Sequence, residues 1–158
     1  MNFAKILSRI YQTDPYFGGA IVGVVMTCPY LMLDYLSSLL FNVNTIPIYS
    51  ATLVISHTGF PWDYFFGIVA DLGAGFLIGA GMIAAFERSG YQFLLAKCLG
   101  IGIVLWILHV SVIPKLWEPR LLQLLNRPTV YMSLLNHVFW GAGFGLFLRI
   151  VRKSGLAE

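Results

Sequence analysis

The segment YQFLLAKCLGIGIVLWILHVSVI, residues 91–113, decides the fold class of this chain. It carries one charged side chain, Lys97, and most of its other residues are apolar or glycine. A helix rises 1.5 Å per residue, so a segment of this length covers about 34 Å, which exceeds the ~30 Å hydrocarbon core of a bilayer. The segment therefore predicts a transmembrane helix.

Three further apolar stretches have the same character, at residues 17–41, 64–86 and 129–150. Over all 158 residues, 58% are hydrophobic and 11% are charged, whereas a soluble domain has roughly 25% charged residues. This composition excludes a disordered chain and argues against a soluble fold. We predict an all-α fold, in which residues 1–158 form a single integral membrane domain, a four-helix transmembrane bundle.

The connections between the predicted spans differ in character. Residues 42–63 contain an apolar middle, 48–55, which is too short to cross, so we predict an irregular, re-entrant or interfacial loop on the outer side. In residues 118–128, Leu121, Leu122, Leu124 and Leu125 form an amphipathic pattern that predicts a short interfacial helix. Residues 87–90 form a tight hairpin between the second and third spans.

Basic residues near the span ends indicate the orientation. One side of the membrane has more of them than the other, and the positive-inside rule then places both termini in the cytoplasm, with the protein in the bacterial inner membrane. These basic residues do not cluster among aromatics on a soluble face, so the predicted partner is the lipid bilayer and not a nucleic acid. The richer side carries Lys5, Arg9, Arg88, Arg149, Arg152 and Lys153, and the other carries Lys115, Arg120 and Arg127.

Each predicted span contains one ionisable residue in its outer half: Asp34, Asp71, His109 and His137. Counting along the helices places all of them roughly 7 to 12 Å below the outer boundary. They share helix faces with small residues, which favour close helix packing in membranes. We therefore predict a buried polar cluster in the bundle interior. The predicted helix-packing glycines are the three GxxxG pairs, namely Gly19 with Gly23, Gly75 with Gly79, and Gly141 with Gly145.

Several roles are open for this cluster, because a charge near mid-membrane costs about 2.5 to 3.5 kcal/mol and so pairs or lines a cavity. It could be a structural polar network between the helices. It could hold zinc, manganese or iron through His109, His137, Asp34 and Asp71, with His57 and Asp63 joining if the outer loop folds inward. A b-type haem between the two histidines ranks below such a metal ion.

Other possible roles of the polar cluster and the aromatic residues near it need no cofactor. A proton relay through these titratable groups would open only to the outside. Outer-layer aromatics such as Trp106, Phe139 and Trp140 could contact a lipid or quinone. The chain has no nucleophile elbow, P-loop or HExxH motif, so nothing in it indicates an enzyme. The competing hypothesis is a non-catalytic accessory subunit that packs through its glycine faces into a homo-oligomer or a larger membrane complex.

Three stretches resemble the YagU-like family of small uncharacterised bacterial inner-membrane proteins. They are GAIVGVVMT at residues 19–27, LHVSVIP at residues 108–114 and NHVFWG at residues 136–141. The resemblance implies the membrane fold and directs attention to His109 and His137. It implies no reaction. The second span of that family often carries a histidine, whereas this chain has Asp71, and the loop before that span is shorter here.

Overall fold

The computed structural model describes residues 3–41, 43, 61–116 and 119–155. Within these ranges the chain is all-α, and four of its helices are long and apolar enough to cross a membrane, which confirms the predicted fold class. The helices are α1 (Phe3–Thr13), α2 (Pro15–Phe41), α3 (Trp62–Ser89), α4 (Leu94–Leu116) and α5 (Arg127–Gly155), and a 3-10 helix (Pro119–Leu124) precedes α5.

The bundle has two ends. The loop face is the end at which α2 and α4 finish and α3 and α5 begin, and the terminal face is the opposite end, which carries the N-terminus of α2 and the C-terminus of α5. The predicted outer loop falls almost wholly at residues 44–60 and lies outside the described residues, as does His57. The predicted interfacial helix is present as the shorter 3-10 helix, in which Leu121 is buried and Leu122 is exposed.

The turn between α3 and α4 lies three residues later than the sequence predicts. Helix α3 continues to Ser89, and α4 begins at Leu94. Gly90 and Phe93 both have positive φ, at 75° and 55°, which reverses the chain over a short distance. The Lys97 ammonium donates to the carbonyl oxygens of Ser89 (3.0 Å) and Gly90 (2.7 Å), so it satisfies acceptors at the end of α3.

The spans pack in the order α3, α2, α5, α4, and glycines allow two of these contacts to be close. On α2, a Cβ atom added at Gly23 would clash with the carbonyl of Gly75 on α3. On α4, a Cβ at Gly102 would lie 2.6 Å from the carbonyl oxygen of His137 on α5. Cβ atoms are not found at such distances, so a larger residue would push these helices apart. The predicted glycines Gly19, Gly79, Gly141 and Gly145 also lie at these two contacts.

Helix α1 packs on α2 and α5 at the terminal face. Its Leu7 and Tyr11 are buried, while Lys5 and Arg9 are exposed. The hydroxyl groups of Tyr11 and Tyr91 lie 2.9 Å apart, and the Arg152 guanidinium sits 3.5 Å from the centre of the Tyr91 ring. A hydrogen bond and a cation–π contact therefore join α1, the α3–α4 turn and the end of α5.

Candidate functional site

A cavity of about 240 Å³ lies between the four spans. Helices α3 and α4 form its two sides, and α2 and α5 form its floor. Three members of the predicted polar cluster line it, namely Asp71, His109 and His137, whereas Asp34 does not. The lining residues are Thr27, Tyr30, Asp71, Ala74, Gly75, Ile78, Leu105, Leu108, His109, Ile113, His137 and Trp140.

The two histidines are in direct contact in this cavity. Nδ1 of His109 lies 3.4 Å from Nε2 of His137, and the two rings meet edge to face with centroids 5.2 Å apart. Nδ1 of His137 lies 2.7 Å from the carbonyl oxygen of Ser133. A carbonyl only accepts, so His137 donates through Nδ1 and, as a neutral ring, accepts through Nε2. His109 then donates through Nδ1 and keeps Nε2 as its acceptor nitrogen.

The floor of the cavity holds His137 in place. The Tyr30 ring meets His137 edge to face at a centroid distance of 5.6 Å. One turn further along α5, the Trp140 indole donates to the Thr27 hydroxyl at 3.2 Å, and that hydroxyl donates to the Gly23 carbonyl at 2.9 Å. These contacts join α2 and α5 at His137 and one turn beyond it, and together with the bond to Ser133 they fix the orientation of the His137 ring.

A local change in helix geometry accompanies His109 on α4. Residues Leu108–Val112 form a π-helical turn in which the Ile113 amide donates to the carbonyl of Leu108. Pro114 follows this turn, and a proline removes the amide hydrogen and crowds the carbonyl four residues earlier. The wider turn relieves that crowding. It rotates the residues within it relative to an unbroken α-helix, and His109 is one of them.

The two carboxylates lie around Tyr30. Asp71 lines the cavity, with its Oδ2 atom buried. Asp34 is only 3% exposed and follows Tyr30 by one turn of α2. Tyr30 lines the cavity together with Asp71. The predicted polar cluster is therefore divided into two parts, a histidine pair between α4 and α5 and two carboxylates near Tyr30.

Two of the proposed cofactors can be compared with this geometry. No three His, Cys, Asp or Glu side chains come close enough together to hold a metal ion anywhere in the part of the chain that the structure describes. Asp63, which the sequence offers as a further metal ligand from the outer loop, is buried at the start of α3. The two histidine rings touch, which leaves no space for a porphyrin between them. The cavity is also smaller than the 300–1,000 Å³ of pockets that enclose a whole drug-sized ligand, so it cannot enclose a porphyrin.

Four residues of the site lie outside the predicted polar cluster: Thr27, Tyr30, Ser133 and Trp140. The sequence predicts Trp140 only as an aromatic contact for a lipid or quinone. Thr27 and Tyr30 precede Asp34 by seven and four residues, and Ser133 and Trp140 flank His137 by four and three. These spacings put each set on one helix face. Extending the faces of Asp34 and His137 by one or two turns would have found all four residues.

Comparisons with protein-family models, with curated proteins and with solved structures return no match. The resemblance to the YagU-like family therefore stays a prediction. The cavity has to be interpreted from its own chemistry.

Proposed function

We propose that this multi-pass membrane protein binds a small amphiphilic ligand in the cavity, and that the histidine pair forms the hydrogen-bonding end of the site. The observation that carries the proposal is the contact between His109 and His137 in the wall of a cavity that also contains Asp71. A cavity with a few convergent polar groups is the usual form of a ligand site. The residues that line the cavity indicate the class of ligand.

The floor of the cavity is mainly polar, and its sides are apolar apart from Asp71 and His109. Thr27, Tyr30, His137 and Trp140 come from the floor helices α2 and α5. The sides contribute mainly apolar residues, of which Ala74 on α3 and Leu108 on α4 are exposed at the outer surface of the bundle. Both residues lie about 12 to 18 Å along their helices from the loop face, which is within the hydrocarbon region. A ligand would therefore enter from the lipid, between α3 and α4.

The hydrogen-bonding pattern favours a ligand that donates. In the neutral pair, Nε2 is the acceptor nitrogen of His109, and an ionised Asp71 carboxylate also accepts. A hydroxyl group matches these acceptors, whereas a ketone or an ether does not. The cavity volume of about 240 Å³ suits one ring or a compact head group with its tail left in the bilayer. The ligand class is thus a hydroxylated amphiphile.

Two probes that differ in one methyl group test this proposal. We expect 4-octylphenol to change the tryptophan fluorescence of the protein in nanodiscs in a saturable way, because Trp140 lines the cavity, and 4-octylanisole to give no such change. His109→Ala should weaken phenol binding about tenfold, the equivalent of a net hydrogen bond of about 1 to 1.5 kcal/mol. Leu135→Ala, on the exposed face of α5, is the matched control. Equal responses to the two probes would overturn the proposal.

A second candidate function, binding of a transition metal, is favoured by one distance. Two imidazole nitrogens on a tetrahedral ion with Zn–N bonds of 2.0–2.1 Å lie about 3.4 Å apart, and the nitrogens of His109 and His137 are separated by 3.4 Å. The bond from His137 to the Ser133 carbonyl is of the kind that orients metal-binding histidines. Asp71 or an external ligand would supply the remaining positions.

Cobalt binding tests this second candidate. Co²⁺ bound by two imidazoles in a tetrahedral site should give a visible absorption band at one ion per chain, and His137→Ala should abolish it. If the outer loop supplies a further metal ligand through His57, His57→Ala should shift or weaken this band. Absence of any band in the unaltered protein would count against the metal and would leave the amphiphile proposal intact.

The basic residues support an orientation for both proposals. Lys5, Arg9 and Arg88 are exposed near the terminal face, and this excess of basic residues would place that face in the cytoplasm of a bacterial cell. The cavity would then lie in the outer half of the membrane. Fusing a reporter that is active only in the cytoplasm to either terminus would test the orientation.

A further inference from the structure

Buried polar side chains are unevenly distributed along the bundle. Among the described residues they occur from the cavity to the loop face, with Ser8 and Tyr11 of α1 as the exceptions. Most belong to one stripe on α2 and one stripe on α5, where spacings of three or four residues keep them on one face. We call these two stripes the polar seam. Its residues are Thr27, Tyr30, Asp34 and Ser37 on α2, and Thr129, Ser133, Asn136, His137 and Trp140 on α5.

Two contacts set the register of the two stripes. Thr27 bonds to Trp140, and Tyr30 contacts His137, so a step of three along α2 matches a step of three backwards along α5. Because the helices are antiparallel, the next turn places Asp34 at the level of Ser133. One further turn of α2 places Ser37 within one residue of the level of Thr129. The seam is therefore continuous from the cavity to the first turn of α5.

The stripe on α5 changes character at the cavity. Beyond Trp140 the same face continues with Phe144, Leu148 and Val151, each 0% exposed. On α3 the residues at this depth include Ile83 and Phe86, which are also buried. An apolar plug thus fills the terminal half of the bundle, whereas the loop half is polar along its axis.

One side chain in the seam has a buried hydrogen-bond donor without a protein partner among the described residues, and a water molecule could satisfy this donor. Asn136 is only 3% exposed, and its buried Nδ2 atom has no hydrogen-bond partner among the described residues. A buried amide hydrogen without a partner costs about 1 to 3 kcal/mol. Ordered water is the usual partner of such a group. In the hydrocarbon region that water has to arrive along polar side chains.

From these observations we infer that the polar seam is a one-sided path for water and protons, which connects the loop face to the histidine pair and is closed by the apolar plug. The titratable groups at the seam and the adjoining cavity are Tyr30 and Asp34 on α2, Asp71 on α3, His109 on α4 and His137 on α5. Hydroxyl groups of Ser37, Thr129 and Ser133 lie between the histidine pair and the loop face. The path goes beyond ligand binding, because it would exist with the cavity empty.

Single cysteines and silver ions test the path. Ag⁺ reacts with thiolates and is small enough to follow water, and a thiol surrounded by lipid does not ionise. We would replace Cys28 and Cys98 by alanine and introduce Ser133→Cys in the seam, Leu135→Cys on the exposed face at the same depth, and Phe144→Cys in the plug. After exposure to Ag⁺ in nanodiscs, the protein is denatured and the remaining thiols are counted with a fluorescent maleimide.

The expected result is loss of most of the maleimide signal for Ser133→Cys and little loss for Leu135→Cys and Phe144→Cys. Ser37→Cys, on the α2 stripe, should behave like Ser133→Cys. It replaces Ser133→Cys in the test if that variant does not elute as a folded protein. An unreactive cysteine at both seam positions would overturn the path. Reaction at all positions would also overturn it, because the plug would then not close the seam.

Discussion

Nδ1 of His109 and Nε2 of His137 lie 3.4 Å apart, although 28 residues separate them in the sequence. Their contact depends on how closely α4 approaches α5. Gly102 sets that approach, because a Cβ atom there would lie 2.6 Å from the carbonyl oxygen of His137 itself. The geometry of the site and the packing of the two helices are therefore linked through one glycine.

We expect Gly102→Ala to weaken binding of 4-octylphenol several-fold, since the added methyl group separates the helices and lengthens the contact between the histidines. The free energy of unfolding should fall by about 1 to 3 kcal/mol, as for other overpacked sites. Gly100→Ala is the control, because a Cβ at Gly100 meets nothing within 4 Å. Probe titration and thermal unfolding measure the two effects, and equal behaviour of the variants would contradict the link.

A second prediction concerns the contact between α2 and α3. Gly23→Ala should destabilise the protein by about 1 to 3 kcal/mol, because its Cβ would clash with backbone atoms of Gly75, which cannot move independently of α3. Gly73→Ala, two residues before Gly75 and with open space around it, should be neutral or stabilising by up to about 1 kcal/mol. Thermal unfolding in detergent distinguishes them. Similar losses in both variants would contradict the prediction, because a Cβ at Gly73 meets no neighbouring atom that could cause a loss.

The hydrogen bond between Trp140 and Thr27 is suited to a double-mutant cycle. Thr27→Val leaves the indole hydrogen without this acceptor, and Trp140→Phe removes the donor. Each single change should reduce the free energy of unfolding, and the double variant should lose less than their sum. We expect a coupling free energy of about 0.6 to 1.5 kcal/mol, in the range of hydrogen bonds between membrane helices. A coupling free energy of zero would mean that the bond does not stabilise the bundle.

Alkaline pH should weaken the packing of α1 and so lower the free energy of unfolding. Burial of Tyr11, together with its hydrogen bond to Tyr91, raises the pKa of the Tyr11 phenol above its ordinary value of about 10. The folded protein thus favours the neutral phenol, so this contribution is complete below pH 10 and is lost as the pH rises further. The expected loss is at most about 1.4 kcal/mol per pH unit, the free-energy equivalent of one proton. Unfolding at pH 9 and pH 11 measures it.

The matched variants for this prediction are Tyr11→Phe and Tyr131→Phe. Tyr11→Phe should be less stable than the unaltered protein at pH 9, because it loses the bond to Tyr91, and should lose less stability between pH 9 and pH 11. Tyr131 is 66% exposed, so its replacement should leave the pH dependence unchanged. A pH dependence that persists in Tyr11→Phe would assign the effect to another group.

The four spans could be predicted because the bilayer imposes a length and a composition on any helix that crosses it. Within a few residues, the apolar runs around residues 17–41, 64–86, 91–113 and 129–150 coincide with α2, α3, α4 and α5. Counting along these helices also predicted that Asp71, His109 and His137 share a level, and all three line one cavity. Helix α1 is different, because it is too short to cross a membrane and its place depends on its packing on α2 and α5 and on the contact between Tyr11 and Tyr91.

The sequence by itself thus determined which residues share a level in the membrane, since rise per residue is a local property of a helix. Only the tertiary structure decided which of them meet. Asp34, which the same count predicts at this level, does not line the cavity, whereas Thr27, Tyr30 and Trp140 do. The reason is that rotation and pairing of helices depend on close contacts, such as Gly102 against His137, that no local pattern specifies.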